Sequence, residues 1–339
     1  MKFPWRLFFL VLGLGVFGFF LHQIGPDQIW ENLRKLGWMT PVVLIPFTVV
    51  YVLDALAWRI SFGSQRPEGI GFLTYLRIRW CGESINYILP TAYVGGEVVK
   101  VYLLHKRGVD PTIGASASVV SKSCQTLAMV IFIAGGAFAA LPYLPEDSPA
   151  RRGMMIVAGL AFVAIGVLFW LQRRGLFKTM LDVVRLLRLK ITALEKRSEH
   201  FARMDDRVRS FYRNERGCFF ASTFVFLLGW LGDTLEIMVA CAFLGLAIDW
   251  QMSFSLEAFI AVAKAIGMFS PGSIGVQESG VIFLFHVFAL PAAIGVSYAL
   301  IRRFREFVFG IIGWALIATD GYSLKGLTRE AAADAKALD

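Results

Sequence analysis

Apolar residues fall along the chain in blocks of about 20, the length an α-helix needs to cross roughly 30 Å of hydrocarbon, with polar residues gathered between them. Six blocks read as full spans, at about 5–24, 39–62, 112–141, 152–171, 217–247 and 291–319. Two more apolar stretches, 72–107 and 254–290, are each interrupted by a Pro/Gly cluster and read as broken or re-entrant helical hairpins. A transmembrane barrel would instead show short segments of alternating hydrophobicity. The first block follows Lys2 and Arg6, is longer than a typical signal-peptide core and has no small-x-small site after Phe20, so it reads as a retained span. The expected fold is all-α, a polytopic membrane helix bundle over residues 1–320 with a polar tail over 321–339.

Composition agrees. Hydrophobic residues make up 57% of the chain and charged residues 17%, against about 25% charged in soluble domains. The net charge of +9 would suit nucleic acid, but its placement points to lipid. Residues 172–216 hold 13 Lys/Arg against 6 Asp/Glu, a net +7 in one loop. Basic loops stay on the cytoplasmic side, facing anionic headgroups. The loops at 25–38, 142–153 and 248–253 carry no net positive charge, which puts the N-terminus and the basic loop inside a bacterial inner membrane. In this orientation the first hairpin enters from inside and the second from outside, as in an inverted repeat. Within the basic loop, Leu187, Ile191, Leu194, Phe201, Met204, Val208 and Phe211 recur at helical spacing. Such a stripe can lie on the membrane, dock a partner such as a lipid-biosynthesis enzyme, or simply cover the bundle ends.

The informative residues are charges inside apolar segments: Asp54, Glu83, Glu97, Lys122, Asp233, Glu236, Lys264, Glu278, Arg302, Arg303, Arg305 and Glu306. At about 2.5–3.5 kcal/mol each, even eight facing lipid would cost some 20–28 kcal/mol. They must face one another or a wet cavity. Arg302, Glu306, Gly310 and Gly313 fall on one helix face; Ser118, Lys122 and Gln125 on another; Asp233 and Glu236 on a third. Pro90-Thr-Ala-Tyr-Val-Gly-Gly-Glu97 and Pro271-Gly-Ser-Ile-Gly-Val-Gln-Glu278 each put a Glu seven residues after a Pro. As a structural matter, Glu97 and Glu278 would open the following helices, where the dipole favours a carboxylate. Functionally, broken helices meeting near the midplane build substrate sites in many transporters.

Soluble-enzyme motifs are missing. Gly13-Leu-Gly-Val-Phe-Gly18 fits a dinucleotide pattern but lies in the first span, with no preceding strand. Cys81, Cys124, Cys218 and Cys241 are scattered and lack metal spacing, as do His22, His105, His200 and His286. No catalytic residue, cofactor or metal is expected.

Gly82-Glu-Ser-Ile-Asn86, Leu89-Pro90 and Gly95-Gly-Glu97 together resemble the first signature of the lysylphosphatidylglycerol synthase transmembrane-region family, also called flippase-like integral membrane proteins. Phe269-Ser-Pro271-Gly-Ser-Ile-Gly275-Val-Gln-Glu278 resembles its second signature, with Ser273 in place of a glycine. Trp58-Arg59 and the Arg302/Arg303 pair sit where the family also carries basic residues. Where the family often shows Glu-Arg and then Asp, this chain has Ser121-Lys122 and Gln125, keeping the positive charge without the acids. The chain ends about 20 residues after the last span, so the resemblance implies a stand-alone member without the soluble aminoacyl-transfer domain, near the branch associated with hopanoid biosynthesis.

The resulting expectation is a protein that binds a headgroup-bearing lipid and moves it between leaflets. Its partners would be membrane lipids, and nucleic acid is not among them. The candidate substrate-binding set is Glu83, Asn86, Pro90, Gly95, Gly96, Glu97, Lys122, Asp233, Glu236, Lys264, Pro271, Gly272, Gly275, Glu278, Arg302, Arg303 and Arg305. The cations would receive acidic oxygens, and the carboxylates would balance them or bind an amine or a proton. Two other readings stand beside it. One is a membrane-embedded transferase with Asp233/Glu236 as a metal pair; the other is a non-transporting assembly subunit docking through residues 172–216.

Overall fold

A computed structural model describes residues 40–88, 94–174, 198–267 and 273–319, with isolated positions between 27 and 37. The block at 5–24, the stripe residues Leu187, Ile191 and Leu194, and the tail at 321–339 lie outside the described residues. Ten helices follow in order: α1 (Thr40–Ile60), α2 (Phe72–Ile88), α3 (Val94–His105), α4 (Pro111–Ala140), α5 (Pro149–Arg174), α6 (Ser198–Asn214), α7 (Arg216–Phe243), α8 (Trp250–Ile266), α9 (Val276–Val287) and α10 (Ala292–Thr319). No strand occurs among the described residues. Every described span falls within about four residues of its expected ends.

Local chemistry explains the starts. Pro111 occupies the first turn of α4, where its missing N–H costs nothing. The Asp110 carboxylate before it accepts from the amides of Thr112 at 2.7 Å and Ile113 at 3.1 Å. Asp249 caps α8 by accepting from Met252 at 2.7 Å. Among the described residues four segments are long and apolar enough to cross a membrane: Val42–Ile60, Pro111–Tyr143, Pro149–Leu168 and Arg216–Phe243. Helix α10 is as long as α7, at 28 residues, and is excluded by its four central charges. The outer surface carries Ile45, Leu160, Phe162, Val163, Phe220, Phe224, Phe307 and Ile311 exposed, while Glu257, Glu236 and Arg305 are almost completely buried. Apolar outside and charged inside is the arrangement lipid demands.

Both interrupted stretches are helical hairpins with arms of 17 and 12 residues. In the first, the Gly96 amide donates to the Asn86 side chain at 2.8 Å. The arms touch so closely that a Cβ on Gly96 would stand 2.3 Å from the Gly82 carbonyl oxygen. In the second, Gly280 lies against Ala263. A 12-residue arm reaches about 18 Å, short of the roughly 30 Å of hydrocarbon. Ser273 sits at φ +54° and Gly275 at φ +83°. The backbone turns left-handed where the resembled signature has glycine, and serine carries the strain here.

The chain is built from two alike units, α1–α4 and α7–α10, each a span, a hairpin and a span. The first spans pack antiparallel: Gly232 faces Val50 and Gly229 faces Asp54, while the Ser222 hydroxyl bonds the Ala57 carbonyl at 3.0 Å. The closing span of each unit lies antiparallel on the other unit's hairpin. On one side Trp80 Nε1 donates to the Phe309 carbonyl at 2.9 Å; on the other Gln251 donates to the Ala139 carbonyl at 3.0 Å. Reciprocal, antiparallel packing is the geometry of an inverted repeat. The two glycines of α10 serve this crossing, with Gly313 against Ser84 and Gly310 near Tyr87.

Between the units, α6 turns Met204, Val208 and Phe211 inward. Val208 and Phe211 join a core cluster with Val120, Cys124, Leu127 and Phe219. Of the three uses open to the apolar stripe, its described part covers the bundle.

Two outcomes check this packing. Gly96→Ala should lower stability in detergent by about 1–3 kcal/mol through overpacking, whereas Gly159→Ala, whose Cβ meets nothing within 4 Å, should leave it level or slightly raised. Hydrogen bonds from the Met252 amide and then the Tyr143 hydroxyl hold the Asp249 carboxyl below its ordinary value of 3.8. Its stabilisation is therefore complete above that value and lost as pH falls through the lower folded one. Asp249→Ala should cost about 1 kcal/mol at neutral pH and flatten the acid limb of a melting-temperature profile.

Candidate functional site

The charges inside the bundle form a belt, and helix position decides each partner. On α2, Arg79 stands one turn before Glu83 and bonds it at 2.8 Å, while its other nitrogen reaches Asp54 on α1 at 2.5 Å. Asn86, a turn further on, leans on Glu83 at 3.4 Å. At the start of α3, Glu97 binds Lys100 at 2.6 Å and, across to α4, Lys122 at 3.2 Å. Lys122 also donates to Gln125 at 3.0 Å. Lys100 lies 4.7 Å over the Trp58 ring.

The second unit repeats the scheme with three arginines in four positions of α10. Arg302 binds Glu257 of α8 at 2.7 Å and the Tyr298 hydroxyl at 3.2 Å. Arg303 binds Glu278 of α9, and Glu306 at 2.6 Å. Arg305 binds Glu236 of α7, with Asp233 at 3.7 Å, and its guanidinium lies 3.5 Å from the Phe47 ring centre. Glu278 does two jobs, since its other oxygen accepts from the Gly275 amide at 2.7 Å and closes the first turn of α9. All these ion pairs stay within one unit.

The pairs differ in access. Arg302, Arg305, Glu236 and Glu257 have side chains at most 3% exposed. Lys122 is 39% exposed and Arg303 23%. Lys264 lies within electrostatic reach of Glu83 in one unit and Glu306 in the other, and Lys122 also acts on Glu83. The two open cations thus border the same polar region.

Of the expected substrate-binding residues, the structure brings Glu83, Asn86, Gly95, Gly96, Glu97 and Lys122 together around the first hairpin, and Lys264, Gly275, Glu278 and Arg303 around the second. Arg302, Arg305, Asp233 and Glu236 lie deeper, engaged with one another and Glu257. In the structure Arg302 and Arg305, expected among the cations that receive acidic oxygens, are almost completely buried against Glu257 and Glu236. Pro90, Pro271 and Gly272 lie outside the described residues. Arg79, Lys100 and Glu257 escaped the sequence reading, although Glu257 met its criterion, a charge within an apolar stretch. Arg79 and Lys100 stand four and three positions from acids already singled out. A separate cavity of about 70 Å³, lined by Ser61, Ser64, Ser116, Arg207 and Glu215 among others, lies at the junction of α4 and α6, away from the belt.

Residues 6–313 match the family model described as the lysylphosphatidylglycerol synthase TM region. The chain belongs to this family. No curated protein and no solved structure matches it. The lysylphosphatidylglycerol synthase TM region is an integral membrane, lipid-related domain, and the match spans both hairpins and all ten described helices up to residue 313 of α10.

Removing one member of a dry pair leaves the other charge stranded. Glu257→Ala should cost about 3–5 kcal/mol in thermal unfolding, and the double change Glu257→Leu with Arg302→Met should recover most of it.

Proposed function

We propose that this protein binds a headgroup-bearing lipid (a phospholipid, a lipid-linked sugar or a hopanoid) in its charged belt and carries it between leaflets of a bacterial inner membrane, with the N-terminus and the basic loop on the cytoplasmic side. One observation carries the reading. Lys122 lies in the middle of a 30-residue apolar helix and keeps 39% of its side chain exposed, at a depth where an exposed cationic side chain is costly. A water-filled or headgroup-filled space beside it removes that cost. The two hairpins supply the broken helices from which transporters build such sites, and the family's tie to lipid gives the substrate class. The ligand's acidic oxygens would meet Lys122 and Arg303, and Glu83, Glu97 and Glu278 would balance them.

The transferase reading is less well served, because Asp233 and Glu236 are turned toward Arg305 and buried away from water. The docking-subunit reading loses Met204, Val208 and Phe211, which already cover this chain's own helices.

In reconstituted vesicles, labelled lipids should exchange leaflets faster with the protein than without. Lys122→Ala should slow exchange about 10- to 100-fold, the loss of one charge-assisted hydrogen bond of roughly 1.5–3 kcal/mol. A rate equal to that of protein-free vesicles for all three lipid classes would overturn the proposal.

A further inference from the structure

The two units repeat their chemistry as well as their helices. Glu97 and Glu278, Lys122 and Arg303, and Gln125 and Glu306 are related by a constant offset of 181 positions. In each unit the hairpin glutamate opens the short arm. It reaches across to a cation on the closing span, and that cation also binds the residue three positions on. The correspondence is of contacts as well as numbers. In both units the cation is more open than the carboxylate behind it, 39% against 16% in the first and 23% against 3% in the second. Each cation is thus more exposed than the acid that binds it.

We infer that Lys122 and Arg303 are two equivalent receiving positions for a phosphate-type oxyanion, one in each unit, and that Glu97 and Glu278 occupy them as internal stand-ins when no ligand is bound. This deepens the lipid-carrying reading and rests on it. A phosphate oxygen arriving at Lys122 competes with the Glu97 carboxylate for the same ammonium hydrogens. Winning that competition unfastens the first hairpin from α4. The same exchange at Arg303 unfastens the second hairpin from α10. No covalent bond changes, and one charge-assisted hydrogen bond is traded for another. Because the units are packed antiparallel, the two releases open toward opposite faces. A headgroup leaving one position for the other crosses the belt, and the carboxylate re-closes behind it.

The probe is a short-chain, water-soluble phosphatidic acid, titrated calorimetrically against full-length protein in phosphatidylcholine nanodiscs, with inorganic phosphate as a second titrant. Glu97→Gln and Glu278→Gln remove the competing carboxylate without changing its shape, and each should tighten probe binding about tenfold. Lys122→Gln and Arg303→Gln should each weaken it to a similar degree, with Lys122→Arg restoring the wild-type value. These last three variants keep the test decisive should a glutamine variant fail to fold. Affinities equal across all variants, or a response at only one position, would overturn the inference. Inorganic phosphate binding as tightly as the lipid would overturn its assignment to a headgroup. Sidedness gives an independent check. In vesicles of defined orientation, Glu97→Gln should sharpen competition from the probe on one face and Glu278→Gln on the other, and a shared face would count against equivalence. Wild-type protein that exchanges lipid yet shows flat affinities refutes this inference alone. The full affinity pattern without any lipid exchange refutes the carrying function alone.

Discussion

Charge buried in a low-dielectric medium is tolerable only when paired with matching geometry, and that constraint organises this bundle. Among the described residues, eight acidic and seven basic side chains lie within the belt, and the helices are arranged so that each of its arginines meets a carboxylate. The pairs do more than neutralise. They tie each hairpin to the spans of its own unit, because the partners in every case come from different turns or helices of that unit. Apolar packing does the opposite job, joining unit to unit through α1 against α7 and through each closing span against the other hairpin. Ion pairs hold each unit together internally, and packing with a few hydrogen bonds holds the units to each other.

This division bears on motion. Small residues line the contacts between units, at Gly229, Gly232, Gly310 and Gly313, and such surfaces permit sliding or rocking at little cost. The charged pairs within a unit resist displacement strongly. A rearrangement that carries a headgroup across the membrane therefore has a soft interface available between the units. The stiffer contacts include two openable ones, at the cations that retain access. The buried networks of Arg302 and Arg305 are braces, and their burial separates them from the two exposed positions more clearly than residue type could.

Much of the architecture was legible beforehand because hydrocarbon imposes a length and excludes charge, so both the spans and the anomalous residues appear as contrasts in one dimension. The Pro/Gly interruptions marked both hairpins for the same reason. Partner choice was not legible. Arg302, Arg303 and Arg305 lie within four positions, yet they go to Glu257, Glu278 and Glu236 on three different helices, and only the long-range packing of α10 settles which. Arg79 and Lys100 are also charges inside the 72–107 stretch, buried beside Glu83 and Glu97, and only the packing shows them to be part of the belt. The apolar stripe of α6 showed one face without naming what covers it. The covering surface is formed by α4 and α7, before and after it in the chain, a pairing that periodicity cannot encode.

Among the described residues, the confinement of each ion pair of the belt to one unit has a consequence for biogenesis. A nascent chain delivers α1 to α4 into the bilayer while α7 to α10 are still being synthesised, and Arg79, the arginine of the first unit that lies in the charged belt, already finds Asp54 and Glu83 there. The half-made protein can wait in lipid with that guanidinium already paired, and the later half brings its own carboxylates for Arg302, Arg303 and Arg305. Docking the two then makes no new ion pair among those of the belt and leaves apolar packing and a few hydrogen bonds to form late.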